Sequence, residues 1–218
     1  DTLDLLIHDS TLSIRGEIVL PIEHCLMVLP GIEEDQLQAI SSHPQALGQC
    51  RNFLEHRFPK IRAMATLSTA AAVESLKDSP VPAGAIAPPR AAVLYGVKIL
   101  ARAIQDRPNN LTRFVVLAKT DHAPTGKDKT SLGFSFVGDE PGLLYSVLGE
   151  FARRHINLAK IESRPTKEAL GRYIFLVDLE GHRAEHKIKE VLEAVDAKAS
   201  MLKVFGSYPS WSPSQLVS

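Results

Sequence analysis

Between Ser131 and Phe136 the chain alternates: Leu132, Phe134 and Phe136 are apolar, and Ser131, Gly133 and Ser135 are small or polar. A period of two puts the apolar set on one face of a half-buried strand. Asp139-Glu140-Pro141 follows as a helix start, after which Leu143, Leu144, Val147, Leu148 and Phe151 recur as one apolar stripe. Strand-like runs at 158–161 and 173–179 precede a second helical stripe of Ile188, Val191, Leu192 and Val195, and residues 201–205 form a last strand. The order is β-α-β-β-α-β, which is the ferredoxin-like plan.

Upstream the pattern differs. Residues 12–22 and 26–29 are rich in Ile, Val and Leu, and Pro21 and Pro30-Gly31 punctuate them as two strands or one bent strand. A brief strand is expected at 38–40. Ser42-His43-Pro44-Gln45 then fits a capping box, with Ser42 as N-cap and Gln45 closing it, before a helix carrying Leu47, Cys50 and Leu54. Residues 61–67 read as a strand, Ser68-Thr69 cap a second helix from Ala70 to about Lys77, residues 84–87 form a short strand, and Pro88-Pro89 begin a helix through Tyr95. Such alternation predicts a mainly parallel sheet with helices outside it, and ligands at the carboxyl ends of its strands. Ser42, Ser68, Thr69 and Thr112 fall at such loops.

Asn109-Asn110 is a turn signal, and residues 114–118 read as a short buried strand. Thr112 and Arg113 therefore stand where a loop enters a strand, a common place for site residues; a plain polar turn before a core strand accounts for the same spacing. Residues 119–129 are polar and turn-rich and mark a domain boundary.

At 218 residues there is room for one large or two small domains. Twenty-five basic residues balance 25 acidic ones, so no global field favours nucleic acid or an anionic membrane. Cys25 and Cys50 fit neither a metal spacing nor a disulfide framework, and read as reduced core thiols of a cytoplasmic chain. No apolar run reaches membrane-spanning length. The chain opens at Asp1 without an initiator Met, inside an amphipathic helical pattern, and reads as a cut fragment.

Several strings carry a family resemblance. The second half resembles an ACT domain of the kind attached to prephenate dehydratases, through Lys129-Thr130-Ser131-Leu132, Pro141-Gly142-Leu143-Leu144, Ile156-Asn157-Leu158, Ile161-Glu162-Ser163-Arg164-Pro165, Asp178-Leu179-Glu180-Gly181-His182 and Gly206-Ser207-Tyr208-Pro209. The first half resembles the later part of the dehydratase catalytic domain. It does so through residues 18–26, residues 42–47, Ser68-Thr69-Ala70, Leu94-Tyr95-Gly96 and Thr112-Arg113-Phe114, in the family's order. The resemblance implies an α/β chain: a truncated type 2 periplasmic-binding-protein-like catalytic domain over 1–120, then a ferredoxin-like βαββαβ ACT domain over 129–209. The front of the catalytic domain, with an active-site Asn-Ser pair, would precede Asp1, so the fragment alone is expected to be inactive if that part is needed.

By the same resemblance the chain is a lyase that converts prephenate to phenylpyruvate, water and carbon dioxide in L-phenylalanine biosynthesis, without metal or organic cofactor. Thr112 is the expected hydrogen-bond donor to the leaving hydroxyl, and Ser42, Gln49, Ser68, Thr69 and Arg113 are the expected substrate contacts. L-Phenylalanine is the expected feedback effector, held by Gly142, Leu143, Leu144, Asn157, Glu162, Ser163, Arg164 and Pro165 at an ACT-mediated homodimer or higher homo-oligomer. Each group has a second reading. Ser42 and Ser68 serve as helix caps, Gln49 as a solvated helix residue, Arg113 as the partner of a carboxylate away from the cleft, and Leu143, where the family has alanine, as part of the core stripe. Pro88-Pro89 replaces a family Ser-Glu pair. Arogenate as substrate, and a non-catalytic phenylalanine-sensing module, are the competing functions.

Overall fold

The computed structural model describes residues 6–7, 11–138, 140–166 and 173–212. By packing, the chain divides into Leu20–Thr112 and a second unit of Asp1–Val19 with Arg113–Ser218. Of the expected amphipathic start only Leu6 and Ile7 are described, both buried; the rest, like Asp139 at the expected helix start, lies outside the described residues.

β1 (Ser13–Pro21) comes first in the chain. It is followed by β2 (Cys25–Val28), β3 (Ala39–Ser42), α1 (Pro44–Gln49), α2 (Arg51–Arg57), β4 (Arg62–Ala65), α3 (Thr69–Glu74), β5 (Ala83–Ala87), α4 (Arg90–Tyr95) and β6 (Lys98–Ala101). β7 (Leu111–Ala118) pairs with β1 as a two-stranded ribbon. Within Leu20–Thr112 the strand order is β4-β3-β5-β2-β6. β3 runs parallel to β4 and β5, whereas β2 is antiparallel to β5 and β6. The sheet is therefore mixed, not mainly parallel. The connection over residues 29–38 holds only a 3-10 turn at Glu34–Gln36, and without a crossover helix the chain returns in the opposite direction.

Both faces of this sheet are covered, which is why β2 and β5 read as unbroken apolar runs. Cys25, Met27, Ala39, Ala85 and Ala87 meet Ala72 and Val73 of α3 on one face. Leu26, Val28, Ile40 and Ile86 meet Cys50, Phe58 and Ile104 on the other. The single helix expected after Ser42 is two, broken at Cys50 (φ −114°, ψ 22°). Its cap is His43, not Ser42: the His43 ring accepts from Gln45 N at 3.2 Å, and Pro44 occupies the first helical position.

In the second unit, β8 (Asp128–Ser135), α5 (Leu143–Arg153), β9 (Leu158–Pro165), β10 (Tyr173–Glu180), α6 (His186–Asp196) and β11 (Met201–Pro209) form the expected ferredoxin-like order. The antiparallel sheet runs β11-β8-β10-β9. Leu132, Phe134, Val177 and Leu179 face Val147 and Phe151 of α5 and Ile188, Val191 and Val195 of α6. Burying whole aliphatic and aromatic side chains contributes roughly 1.5–3 kcal/mol each.

The opposite face, where the alternation suggested solvent, is also buried. Ile174, Leu176, Phe205 and Tyr208 pack with Ile14, Val115 and Leu117. β7 is consequently one-sided: Val115 and Leu117 point into this cluster while Phe114 stays 50% exposed. At the β11 bulge Gly206 (φ +149°) lies so close to Ile14 that a Cβ would stand 2.2 Å from its carbonyl oxygen, a place only glycine fits.

Candidate active site

Thr112 lines a cavity of about 300 Å³ together with His24, His43, Gln45, Gln49, Ser68, Thr69 and Asn110. Ile22, Ala46 and Leu67 also line it, and among the described residues no acidic side chain does. The elements explain the gathering. β3 ends at Ser42 and delivers α1, whose last residue is Gln49; β4 ends at Ala65 and delivers α3, which begins at Thr69. These two parallel neighbours release their chains on the same side of the sheet, where ligands of such sheets sit.

Ser68 caps α3, its Oγ accepting from Ala71 N at 3.0 Å. The side-chain hydroxyls of Thr69 and Thr112 engage no described residue. Gln49 is held firmly. Its Oε1 lies 2.7 Å from His24 Nε2 and accepts from Asn110 Nδ2 at 3.2 Å, while its carbonyl accepts from Asp106 N at 2.7 Å. Gln49, Ser68, Thr69 and Thr112 are thus brought together.

Two expected contacts lie elsewhere. Ser42 is fully buried, and its Oγ donates to Ile86 O at 2.6 Å, so it joins two strands and lines no part of this cavity. Arg113 pairs with carboxylates, its second reading. Its NH1 donates to Asp178 Oδ2 at 2.7 Å, its NH2 donates to the Tyr208 hydroxyl, and its Nε stands 2.6 Å from Glu17 Oε2 without hydrogen-bond alignment. Burial presses Glu17 upward, but the Trp211 amide and the Lys129 and Arg113 charges hold it below the usual carboxylate range. Burial disfavours the Arg113 charge, and Tyr208, Asp178 and Glu17 more than offset it.

His24 and Asn110 are the site residues that sequence reasoning missed. Asn110 registered only as a turn former, and His24 sits in a connection where only tertiary contact reveals its role. Among the described residues no group of three His, Cys, Asp or Glu side chains is arranged to hold a metal ion. Cys25 and Cys50 are free; burial, with Glu23 beside one and Asp106 beside the other, pushes their thiols up to about 11 and about 12, outside the reactive range.

The sequence profile of prephenate dehydratase matches residues 1–122, and that of the ACT domain matches residues 130–197. The chain belongs to the prephenate dehydratase family. It is 47% identical over 210 residues to the bifunctional chorismate mutase/prephenate dehydratase of Aquifex aeolicus, covering 95% of this chain and 56% of that protein. With the prephenate dehydratase of Methanocaldococcus jannaschii it shares 38% over 212 residues, 95% of this chain and 75% of the relative. The chain thus spans little more than half the length of the first relative. A solved prephenate dehydratase from Arthrobacter aurescens, in complex with L-Phe, superposes with a TM-score of 0.87 at 34% identity, covering 96% of this chain and 70% of that one.

In the ACT half of this prephenate dehydratase family member, Gly142 takes φ +92° to cap α5. Leu144 packs against the helix–sheet core, whereas Leu143 is half-buried outside it and so is not a core-stripe residue. Asn157 Nδ2 donates to Glu180 Oε1 at 2.8 Å. On β9, Glu162 is gripped by Lys160 Nζ and Arg164 Nε, each at 2.7 Å, which hold its carboxyl at about 2; Ser163 and Pro165 are exposed.

Proposed function

We propose that this chain carries part of the catalytic machinery and the regulatory half of a prephenate dehydratase. In the reaction the bond from the ring to its carboxylate breaks and carbon dioxide leaves. The electron pair enters the ring, the ring C–O bond breaks, and the departing hydroxide takes a proton from solvent to give water. The aromatic product supplies driving force, so the site's task is to orient a dianion and ease departure of the hydroxyl. Thr112 donates a hydrogen bond to the leaving oxygen, and Gln49, Ser68 and Thr69 face the carboxylates. The observation that carries this reading is the Thr112 hydroxyl, which engages no described residue, at a cavity shared with Gln49, Ser68 and Thr69 in whose wall no described residue is acidic.

L-Phenylalanine is the proposed effector, binding through Gly142, Leu143, Leu144, Asn157 and Glu162–Pro165 at a homodimer of the ACT half. It inhibits by favouring an assembly in which the catalytic part is poorly active. A cytoplasmic location belongs to the same proposal. Among the described residues no helix is long and apolar enough to cross a membrane.

The test is turnover by the full reading frame that contains this chain, on prephenate and on arogenate, with Thr112→Ala and Thr112→Ser. Loss of one donor to developing charge is expected to lower kcat roughly a hundred- to a thousand-fold in Thr112→Ala, with Thr112→Ser retaining most of it. Near-normal turnover by Thr112→Ala removes the residue from its role. Preference for arogenate changes the substrate but keeps the chemistry. Phenylalanine binding by calorimetry with no turnover of either compound assigns a sensing module instead.

A further inference from the structure

We propose that His24 is a positioning residue that fixes the Gln49 side-chain amide with its NH2 group toward the substrate. This rests on the dehydratase reading for its kinetic consequence, but not for its geometry. Three groups meet at one atom: Gln49 Oε1 lies 2.7 Å from His24 Nε2 and 3.2 Å from Asn110 Nδ2. The opposite arrangement, with both amides flipped, would have Gln49 donating to a bare His24 Nε2 and put the ring proton on Nδ1. His24 Nδ1 is buried and has no hydrogen-bond partner among the described residues, so that arrangement strands a buried N–H. Orphaned buried N–H groups are rare in native proteins, which favours the arrangement that leaves only a lone pair at Nδ1. The ring therefore carries its proton on Nε2 and donates it to Gln49.

The ring is itself immobile. His24 is 4% exposed, its main-chain N–H donates to Gln105 Oε1 at 3.0 Å, and its carbonyl accepts from Ile104 N at 3.0 Å. With its oxygen saturated by two donors, Gln49 has only N–H groups left to offer, and no described residue takes them. Such an end recognises an acceptor, either a carboxylate or a keto oxygen, and repels a group that can only donate. His24 touches no substrate in this scheme; it acts through Gln49.

The experiment compares His24→Leu, which keeps apolar volume but removes the donor, with His24→Gln, which restores a donor at similar reach, each alone and combined with Gln49→Ala. In the full reading frame His24→Leu is expected to raise KM for prephenate about ten-fold or more, the loss of a hydrogen bond to a charged group. kcat should stay within about three-fold, the pattern of lost ground-state binding. His24→Gln recovers most of the KM, and the His24→Leu effect disappears in the Gln49→Ala background. An undiminished His24 effect without Gln49, or an unchanged KM, overturns the proposal. Nitrogen-15 spectra of the imidazole read the tautomer whatever the enzyme turns over: protonation at Nε2 with a bare Nδ1 supports it, and protonation at Nδ1 overturns it. A wild type inactive on prephenate with the Nε2–H tautomer sinks the functional reading and leaves the amide lock standing.

Discussion

Replacing Arg113 by leucine tests the reading that this arginine holds a charge cluster together. The guanidinium stands between Glu17 and Asp178, and it lies over the Tyr208 ring at 5.8 Å from the centroid. The Glu17 side chain is 1% exposed, that of Asp178 11%, and that of Arg113 30%. Removing one member of a buried ion pair costs about 3–5 kcal/mol, chiefly because the abandoned charge stays buried. Two features reduce the figure here. Lys129 Nζ remains 2.9 Å from Glu17 Oε1, and Ser131 Oγ still donates to Asp178 Oδ1. With partial solvent access at Arg113 the expected loss is about 2–3 kcal/mol. Trp211, the single tryptophan, donates its main-chain amide to Glu17 Oε1 at 2.7 Å, so tryptophan fluorescence in urea follows this unit specifically. The double variant Arg113→Leu with Asp178→Asn should recover part of the loss, since it removes one of the two stranded charges and leaves Glu17 to Lys129. A shift below about 0.5 kcal/mol, the scale of ordinary surface changes, refutes the reasoning.

Two further outcomes follow from the same geometry. Ser42→Ala removes the donor to a buried carbonyl and should destabilise by roughly 1–3 kcal/mol while leaving KM for prephenate unchanged; a raised KM at undiminished stability returns Ser42 to the substrate. For acid stability, Lys198 and Arg154 hold the Glu150 carboxyl down at about 2 from its ordinary 4.5. A lowered folded value gives stability that is present above the unfolded value and lost as pH falls from 4.5 toward about 2. Glu150→Gln should therefore flatten the fall of the urea midpoint across that window, and an unchanged slope counts against it.

The ferredoxin-like half was legible because its two periods are clean and its helices carry single stripes. What sequence did not convey is that both faces of its sheet are covered. Ser131, Gly133 and Asp178 look like a solvent face, yet Ser131 Oγ and the Tyr208 hydroxyl lie 2.6 Å apart, and Gly133 packs under the Phe205 ring. Polar residues enter a core when they satisfy one another, and such partners are distant in sequence. The cap at Ser42 misled for a local reason. The Ser-x-x-Gln string favours Ser42, but proline prefers the first helical position, which makes residue 43 the cap, and the structure follows the proline. β6 went unread although Gly96, left-handed at φ +67°, closes α4 and marks the turn before it; four residues are too few to show a period of their own.

Thr112 and Arg113 were expected to serve one ligand, and strand geometry argues against that. Successive side chains on a strand leave by opposite faces. Thr112 lines the cavity, and Arg113, the next residue of β7, meets Glu17, Asp178 and Tyr208 instead. The consequence is chemical. Among the described residues no lysine or arginine lines the Thr112 cavity, so under the proposed function Gln49, Ser68, Thr69 and Thr112 are neutral donors to an anionic ligand. A hydrogen bond between neutral partners is worth about 0.5–1.5 kcal/mol and one to a charged group about 1.5–3. Recognition by such a wall depends on donors that are aimed before the ligand arrives. On the proposed function, the saturated Gln49 oxygen is what leaves this wall with N–H groups to offer an acceptor-rich substrate.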